Sequence, residues 1–174
     1  MKIEVDYLEY MWPMRHYLVT SGRFEGKNTI AAVSFCCPVS KNPPLVACAL
    51  GHGSYSRELI EAGREFVINV PPASLKAKIY FCGYHSGRQI DKFEATGLTP
   101  LKGRKVDVPI INECPAHLEC QVKDQLATGD KILFIGEVIE AYAEEEVARK
   151  KIKVDWAWGG FPKKYASRFQ QQNQ

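Results

Sequence analysis

The chain has 174 residues, with 23 Lys and Arg against 20 Asp and Glu, a net charge of +3, 45% hydrophobic and 25% charged residues. That size and balance fit one globular domain over residues 1–174 with a core of its own, and the charge is too small and too dispersed to specify nucleic acid. No apolar run reaches the roughly 18 residues of a membrane span, and the charged opening with Lys2, Glu4 and Asp6 lacks the apolar core of a signal peptide, so a cytoplasmic protein is expected.

In chain order, the first strand is expected over residues 16–21 and the second over residues 28–37, after a turn at Gly26. Residues 44–50 are nearly all apolar, as in a strand covered on both faces. Residues 54–62 read as a helix stopped by Gly63, and residues 65–70 as an alternating strand ended by Pro71-Pro72. Short helical turns are expected over 74–80 and 91–96. Residues 116–126 and 131–142, separated by Ala127-Thr128-Gly129-Asp130, read as a β-hairpin. Residues 143–153 carry acidic residues first and basic residues last, an order that suits the helix dipole, and the Gln-rich end, 170–174, is expected to fray. The sum is a mainly β chain with short helical inserts and no internal repeat. A closed or partly closed barrel fits it better than an alternating parallel sheet.

Six cysteines stand at 36, 37, 48, 82, 114 and 120 with no CxxC pair. In a chain this rich in core-forming segments they read as reduced, packed thiols rather than a disulfide scaffold. Cys114 and His117 have a ligand-like spacing but no second pair, so no metal site is expected. The four histidines form no triad, and neither GxSxG nor the Gly-rich dinucleotide fingerprint occurs.

Three polar stretches carry the chemistry. The first is the strand from Asn28 into Pro38-Val39-Ser40. The second, Gly51-His52-Gly53-Ser54-Tyr55-Ser56, leaves an apolar strand and enters a helix. Its glycines admit close approach, its serines offer hydroxyls, and free N–H groups at a helix start favour phosphate; a plain helix cap would look the same. The third, within residues 81–93, brings Ser86, Gly87, Arg88, Asp91 and Lys92. It is competent to hold an anion through Lys92 and the Arg88 fork, or to be a solvated loop.

Taken with their order, these stretches resemble the flavin reductase-like, FMN-binding split-barrel family over residues 14–142. The resemblance rests on Pro38-Val39-Ser40, Asn42-Pro43-Pro44-Leu45-Val46, Ser54-Tyr55-Ser56 with Glu58-Leu59-Ile60, and Gly63 with Glu65-Phe66-Val67-Ile68-Asn69-Val70-Pro71. It continues through Ser86-Gly87-Arg88, Asp91-Lys92-Phe93, Gly97-Leu98-Thr99-Pro100, Leu118-Glu119-Cys120, Gly129-Asp130 and Phe134-Ile135-Gly136-Glu137-Val138. The chain is similar in particular to flavoredoxins and to small prokaryotic ferric or flavin reductases. Residues 143–174, with Trp156, Trp158 and Phe161-Pro162, stand as an extension beyond the resemblance.

The resemblance implies a homodimer with non-covalent FMN near the subunit interface. By position, the flavin ring would lie along Ala32, Val33, Ser34, Phe35 and Cys36, with Ala49 and Leu50 close by, and Asn28 and Thr29 on the same strand would also belong to the cofactor site. The ribityl chain and phosphate would meet Gly51, His52, Ser54, Tyr55 and Ser56, and Ser86, Gly87, Arg88, Asp91 and Lys92 would complete the phosphate end. No side chain is expected to be catalytic, because the flavin carries the chemistry. Electrons would pass from NADH or NADPH through flavin to free flavin, a ferric complex or a protein acceptor. An FMN electron carrier without enzymatic turnover and a flavin-binding module without redox chemistry are the competing readings. Two departures stand out. Asn28 is one place early against the family pattern, which puts Thr29 and Ala32 in register, and Gly51 occupies a position where relatives carry a base, with His52 beside it.

Overall fold

The computed structural model describes residues 2–150 and 158–159. Its elements are α1 (Tyr7–Met11), β1 (Met14–Arg15), β2 (Tyr17–Gly22), β3 (Asn28–Val33), β4 (Cys36–Lys41), β5 (Pro44–Gly51), α2 (Tyr55–Gly63) and β6 (Glu65–Val70). After a 3-10 turn at Ala73–Leu75 come α3 (Lys76–Tyr84), α4 (Lys92–Thr96), β7 (Pro100–Lys102), β8 (Pro109–Ile111), β9 (Ala116–Thr128), β10 (Lys131–Ala143), α5 (Glu145–Lys150) and β11 (Trp158–Gly159). The last part of the helix expected over 143–153, together with Trp156, Phe161, Pro162 and the Gln-rich end, lies outside the described residues.

Seven strands form one antiparallel sheet in the order β3-β2-β6-β9-β10-β5-β4. Its two edge strands, β3 and β4, are consecutive in the chain and joined through Ser34-Phe35 alone. The sheet therefore curls until its edges meet at that short segment, and the β4–β5 ladder runs up to it, the Ala49 N–H donating to the Phe35 carbonyl at 2.9 Å. This is the expected split barrel. The single strand expected over residues 28–37 is two strands, broken where the Cys36 N–H turns back to the Ser34 carbonyl at 2.9 Å. The apolar run NTIAAVSFCC carries no turn residue to mark that break.

Val19, Ala31, Val33, Val46, Cys48, Leu50, Ile60, Phe66, Ile68, Cys120, Val122 and Phe134 fill the barrel. Gly136 sits at a register shift in β10 and leaves room for Phe66, whose ring would lie 2.5 Å from an added Cβ. A second cluster lies outside β2 and β3, where Leu18 and Ile30 meet Ile79, Cys82, Phe93, Leu98 and Ile111. Helix α2 ends one residue later than expected. The left-handed position falls on Arg64 (φ 58°), whose N–H closes on the Ile60 carbonyl.

The remaining outer face is held by one buried carboxylate. Glu119 is fully buried and accepts from the backbone N–H groups of Arg104 (2.7 Å), Lys105 (2.6 Å) and Val106 (3.0 Å) and from the Tyr142 hydroxyl (2.8 Å). Burial alone would raise this carboxyl, but its four donors outweigh that and hold it below the usual carboxylate range. The loop before β8 thereby lays Val106 and Val108 against Val67. Asn69 performs a similar task inside. It donates to the Leu18 carbonyl (2.9 Å) and accepts from the Ile111 N–H (2.9 Å), with His117 Nδ1 also 2.9 Å from its Oδ1. His117 is thus a structural histidine, with burial lowering it to about 4.

Because the folded Glu119 carboxyl lies below its unfolded value, its stabilisation is present above the ordinary carboxylate range and lost as pH falls through the folded value. Glu119→Gln is expected to destabilise the fold by about 1–3 kcal/mol at neutral pH, since an amide NH2 would face N–H donors. Urea unfolding at several pH values should show the gap to wild type narrowing as pH drops below the carboxylate range.

Candidate flavin site

Two of the polar stretches meet at one end of the barrel. Helix α2 covers that end, with Ile60 reaching the core and Ser56 buried. Its N-cap Ser54 makes no side-chain capping bond, so that hydroxyl is not consumed by the helix. Gly51 and Gly53 ahead of it border open space, and an added Cβ at either would meet nothing within 4 Å. The loop at residues 85–91 comes down onto the same place. Gly87 packs so closely on β3 that an added Cβ would lie 2.0 Å from Thr29 Oγ1 and 3.3 Å from the Tyr55 ring. The Thr29 hydroxyl is itself buried without a hydrogen-bond partner. Buried polar groups are nearly always satisfied, and an orphaned hydroxyl against Gly87, which also meets Tyr55 at the start of α2, is one that a polar ligand could complete.

Charge is arranged around this point. Arg88 lies 5.3 Å over the Tyr55 ring and pairs with Glu58, which is held below its usual range chiefly by that hydrogen bond. Arg57 pairs with Glu58 and Glu61 and donates through Nε to the His52 carbonyl at 2.7 Å. The stretch from Gly51 is also tied to the β9–β10 turn. The His52 N–H donates to the Asp130 carbonyl (3.3 Å), and His52 Nε2 lies 3.0 Å from the Gly129 carbonyl.

That tie brings in a residue the sequence did not single out. Lys131 pairs with Gly51 across β10 and β5, so the two share a face of the sheet. Its Nζ is 5.2 Å over the Phe35 ring and 3.6 Å from Asp130. Strand register is the signal for it. The expected hairpin sets Lys131 at the start of its second strand, but only the pairing with β5 shows what faces it.

Several expected contacts have other employment. Lys92 is buried, and its Nζ donates to the Ile30 carbonyl (2.6 Å) and the Cys82 carbonyl (2.7 Å). Loss of hydration lowers its affinity for the proton. Asp91 caps α4, accepting from the Phe93 and Glu94 N–H groups at 2.9 and 3.1 Å. The Asn28 amide is spent on the preceding turn, donating to the Arg23 and Gly26 carbonyls. Phe81 to Tyr84, read as part of one polar loop, form the last turn of α3. The Ala32 methyl faces that helix, 3.4 Å from where a Cβ on Gly83 would sit. Ser86 is exposed and its Oγ accepts from the Arg88 N–H at 3.3 Å.

Along the strand break, Ser34 Oγ lies 2.5 Å from His16 Nδ1, Phe35 is partly exposed, and Cys36 packs against the barrel core. Val33 and Leu50 face the core, while Ala49 is half-buried. His16 is held below its ordinary value by burial and then by Lys76. The residues of the candidate slot are Ser34-Phe35, Gly51 to Ser54, and Thr29 with Gly87. These residues offer backbone amides, hydroxyls and Lys131, with the Ser34–His16 pair at the strand break. Those features fit a flat anionic cofactor. Thr29, Ser54 and the glycine backbones would hold it, and Lys131 would supply positive charge. Among the described residues no cluster of His, Cys, Asp and Glu could hold a metal ion, and no helix is long and apolar enough to cross a membrane.

Comparison with known proteins bears on the family and the fold. The model of the flavin reductase like domain matches residues 11–162, a span that contains the resemblance seen in the sequence. An uncharacterised protein of Archaeoglobus fulgidus is 41% identical over 135 residues, covering 78% of this chain and 75% of that one. An NADH-dependent FAD reductase of Streptomyces globisporus is 31% identical over 125 residues, covering 71% and 66%. Among solved structures, flavoredoxin from Methanosarcina acetivorans superposes with a TM-score of 0.81 at 26% identity, covering 93% of this chain and 92% of that one.

Gly87→Ala is expected to lower the melting temperature by several degrees, because the new methyl collides with Thr29. Adding Thr29→Ala removes the nearest obstacle and should restore part of the loss. Equal melting temperatures for the single and double variants would show that the loop yields elsewhere.

Proposed function

The chain belongs to the flavin reductase-like domain family, and on that premise we propose that it is an FMN-binding oxidoreductase that passes electrons from a reduced nicotinamide, through non-covalently held flavin, to flavin, a ferric complex or a protein acceptor. The observation that carries this reading is the start of α2, where open Gly51 and Gly53 and uncommitted Ser54 precede Tyr55, with Gly87 packed between that ring and the orphaned Thr29 hydroxyl. The likeness to an NADH-dependent FAD reductase supports a nicotinamide as the reductant.

When bound, the flavin supplies hydride acceptance and onward electron release. The chain's own work is binding and orientation. Ser54, Ser56 and the backbone from Gly51 hold the ribityl and phosphate end at the start of α2, where free N–H groups favour an anion. Ser86, Gly87 and Arg88 close that end from the opposite side, and Val33 to Cys36, with Ala49 and Leu50, form the strip along the ring. Lys131 takes the electrostatic part first given to Lys92, whose ammonium is committed to two carbonyls.

A homodimer is part of the proposal. Phe35, Val39 and Leu126 are exposed apolar residues on or beside β4, β5 and β9, and a second copy would cover them next to the slot. The flavoredoxin likeness favours a second reading, an electron carrier reduced by a protein rather than by a nicotinamide.

Anaerobic addition of NADH, and separately NADPH, to FMN-loaded protein tests the two. Bleaching of the flavin absorbance by either nicotinamide is the expected result, and flavin that stays oxidised with both leaves the carrier. Failure to take up FMN at all removes both readings.

Lys131→Gln is expected to weaken FMN by about tenfold, the loss of one charge-assisted contact, with a smaller effect on riboflavin. Lys92→Met is expected to act differently, lowering stability by roughly 1–3 kcal/mol through its abandoned carbonyls. Fluorescence titration with both flavins, beside thermal melts, checks the pair. Unchanged FMN affinity in Lys131→Gln would remove that lysine from the site.

A further inference from the structure

The six cysteines read as packing, but two of them are placed for more. Cys36 on β4 and Cys48 on β5 are direct register partners. The neighbouring pair, Phe35 and Ala49, carries the ladder bond, and the Cys36 N–H is turned back to Ser34. Antiparallel pairs alternate between hydrogen-bonded and non-bonded, so Cys36 and Cys48 form a non-bonded pair. There the Cα atoms approach to about 4.5 Å and the side chains stand on one face. That separation lies within the range of roughly 4.4–6.8 Å that a disulfide spans.

Burial agrees with this placement. Cys48 is completely enclosed in the barrel core, and Cys36 packs against the same cluster while remaining half-buried. The interaction with Cys36, followed by burial, pushes the Cys48 thiol well above an ordinary thiol. The other cysteines are less suited. The Cys120 thiol donates to the Leu118 carbonyl at 3.6 Å. Cys82 and Cys114 lie in the cluster outside the barrel, with burial raising both thiols. Cys37 is exposed and, one residue along the strand, faces away from Cys48.

We propose that Cys36 and Cys48 are a reversible redox pair, a dithiol that a small peroxide converts to a disulfide bridging β4 and β5. Cys36, the accessible member, attacks the peroxide O–O bond as its thiolate. One oxygen stays on sulfur as sulfenic acid, and the other leaves as water after taking up a proton. The Cys48 sulfur then attacks Cys36, the S–S bond forms, and the sulfenic oxygen departs as a second water with the Cys48 proton. Two electrons pass from the thiols to the peroxide, and a dithiol reductant reverses the change. The bridge would lie one residue from Phe35 and would lock the strand edge at the break.

The test uses the full chain carrying Cys37→Ser, which removes the exposed thiol that could join two molecules. Native protein is treated with a small excess of hydrogen peroxide, then denatured and alkylated. Alkylatable thiols should fall from five to three, since the chain has six cysteines and Cys37 is replaced. A linked peptide should join residues 36 and 48, and dithiothreitol should restore all five. With Cys48→Ala added, Cys36 should stop at a sulfenic acid that dimedone traps. Retention of five thiols in the native protein, when the denatured chain is readily oxidised, would overturn the proposal. So would a link from Cys36 to Cys120, or oxidation of Cys36 past the sulfenic acid while Cys48 stays reduced.

Discussion

The Lys92 ammonium lies between the Ile30 carbonyl on β3 and the Cys82 carbonyl in the last turn of α3. Both acceptors are ones that secondary structure leaves open. An edge strand has unpaired carbonyls on its free side, and a helix leaves its last four without partners. One cation answers both, and it also suits the negative end of the helix dipole. Burying that charge costs hydration, which shows in its weakened hold on the proton. The cost is offset because the same contact fixes the distance from β3 to the end of α3. The loop that leaves α3 can then lie on Thr29, with Gly87 at contact distance. Without that clamp, nothing else among the hydrogen bonds described here would register the 85–91 loop against the strand.

A second constraint acts on the other side of the slot. The sheet must curl through seven strands and return to its start, but its edge strands are joined by only two residues. Two residues would be enough for a hairpin, but β3 and β4 stand at opposite edges of the sheet and turn to different neighbours, β2 and β5. The barrel therefore stays open along that line, while the bond from the Ala49 N–H to the Phe35 carbonyl extends the β4–β5 ladder up to its edge. Backbone groups left without a ladder partner in a half-covered slot are competent to hydrogen-bond a ligand. Flavin binding, on the proposed reading, uses a gap that the topology creates.

Much of this was legible from residue pattern alone. Alternation in EFVINV, the apolar run from Pro44 to Leu50 and the turn at Gly129-Asp130 each name a strand or hairpin with a physical cause. The pairing of the two anion-competent stretches also emerged from their composition. What escaped was of one kind. Lys92 and Asp91 look like ligands because charged side chains are rarely buried, and only the structure shows a helix cap and a carbonyl clamp taking them up. Lys131 escaped for the opposite reason. Its importance comes from lying across from Gly51, and register between distant strands leaves no mark in local sequence. The break in residues 28–37 was hidden because a continuous apolar run is compatible with one strand or with two.

The slot's inventory also bears on what kind of chemistry it can serve. His52 and His85 each place a ring nitrogen near a backbone carbonyl, which commits that nitrogen as a donor. Ser34 meets His16, whose ring is held toward the neutral form by burial and then by Lys76. Carboxylates Glu58 and Glu61 are paired with Arg57 or Arg88. A site with its titratable groups so engaged is poorly equipped to move protons and well equipped to hold a cofactor still. The backbone of β11 pairs with β1, placing Trp158 opposite Arg15, the residue before His16, whose ring meets Ser34.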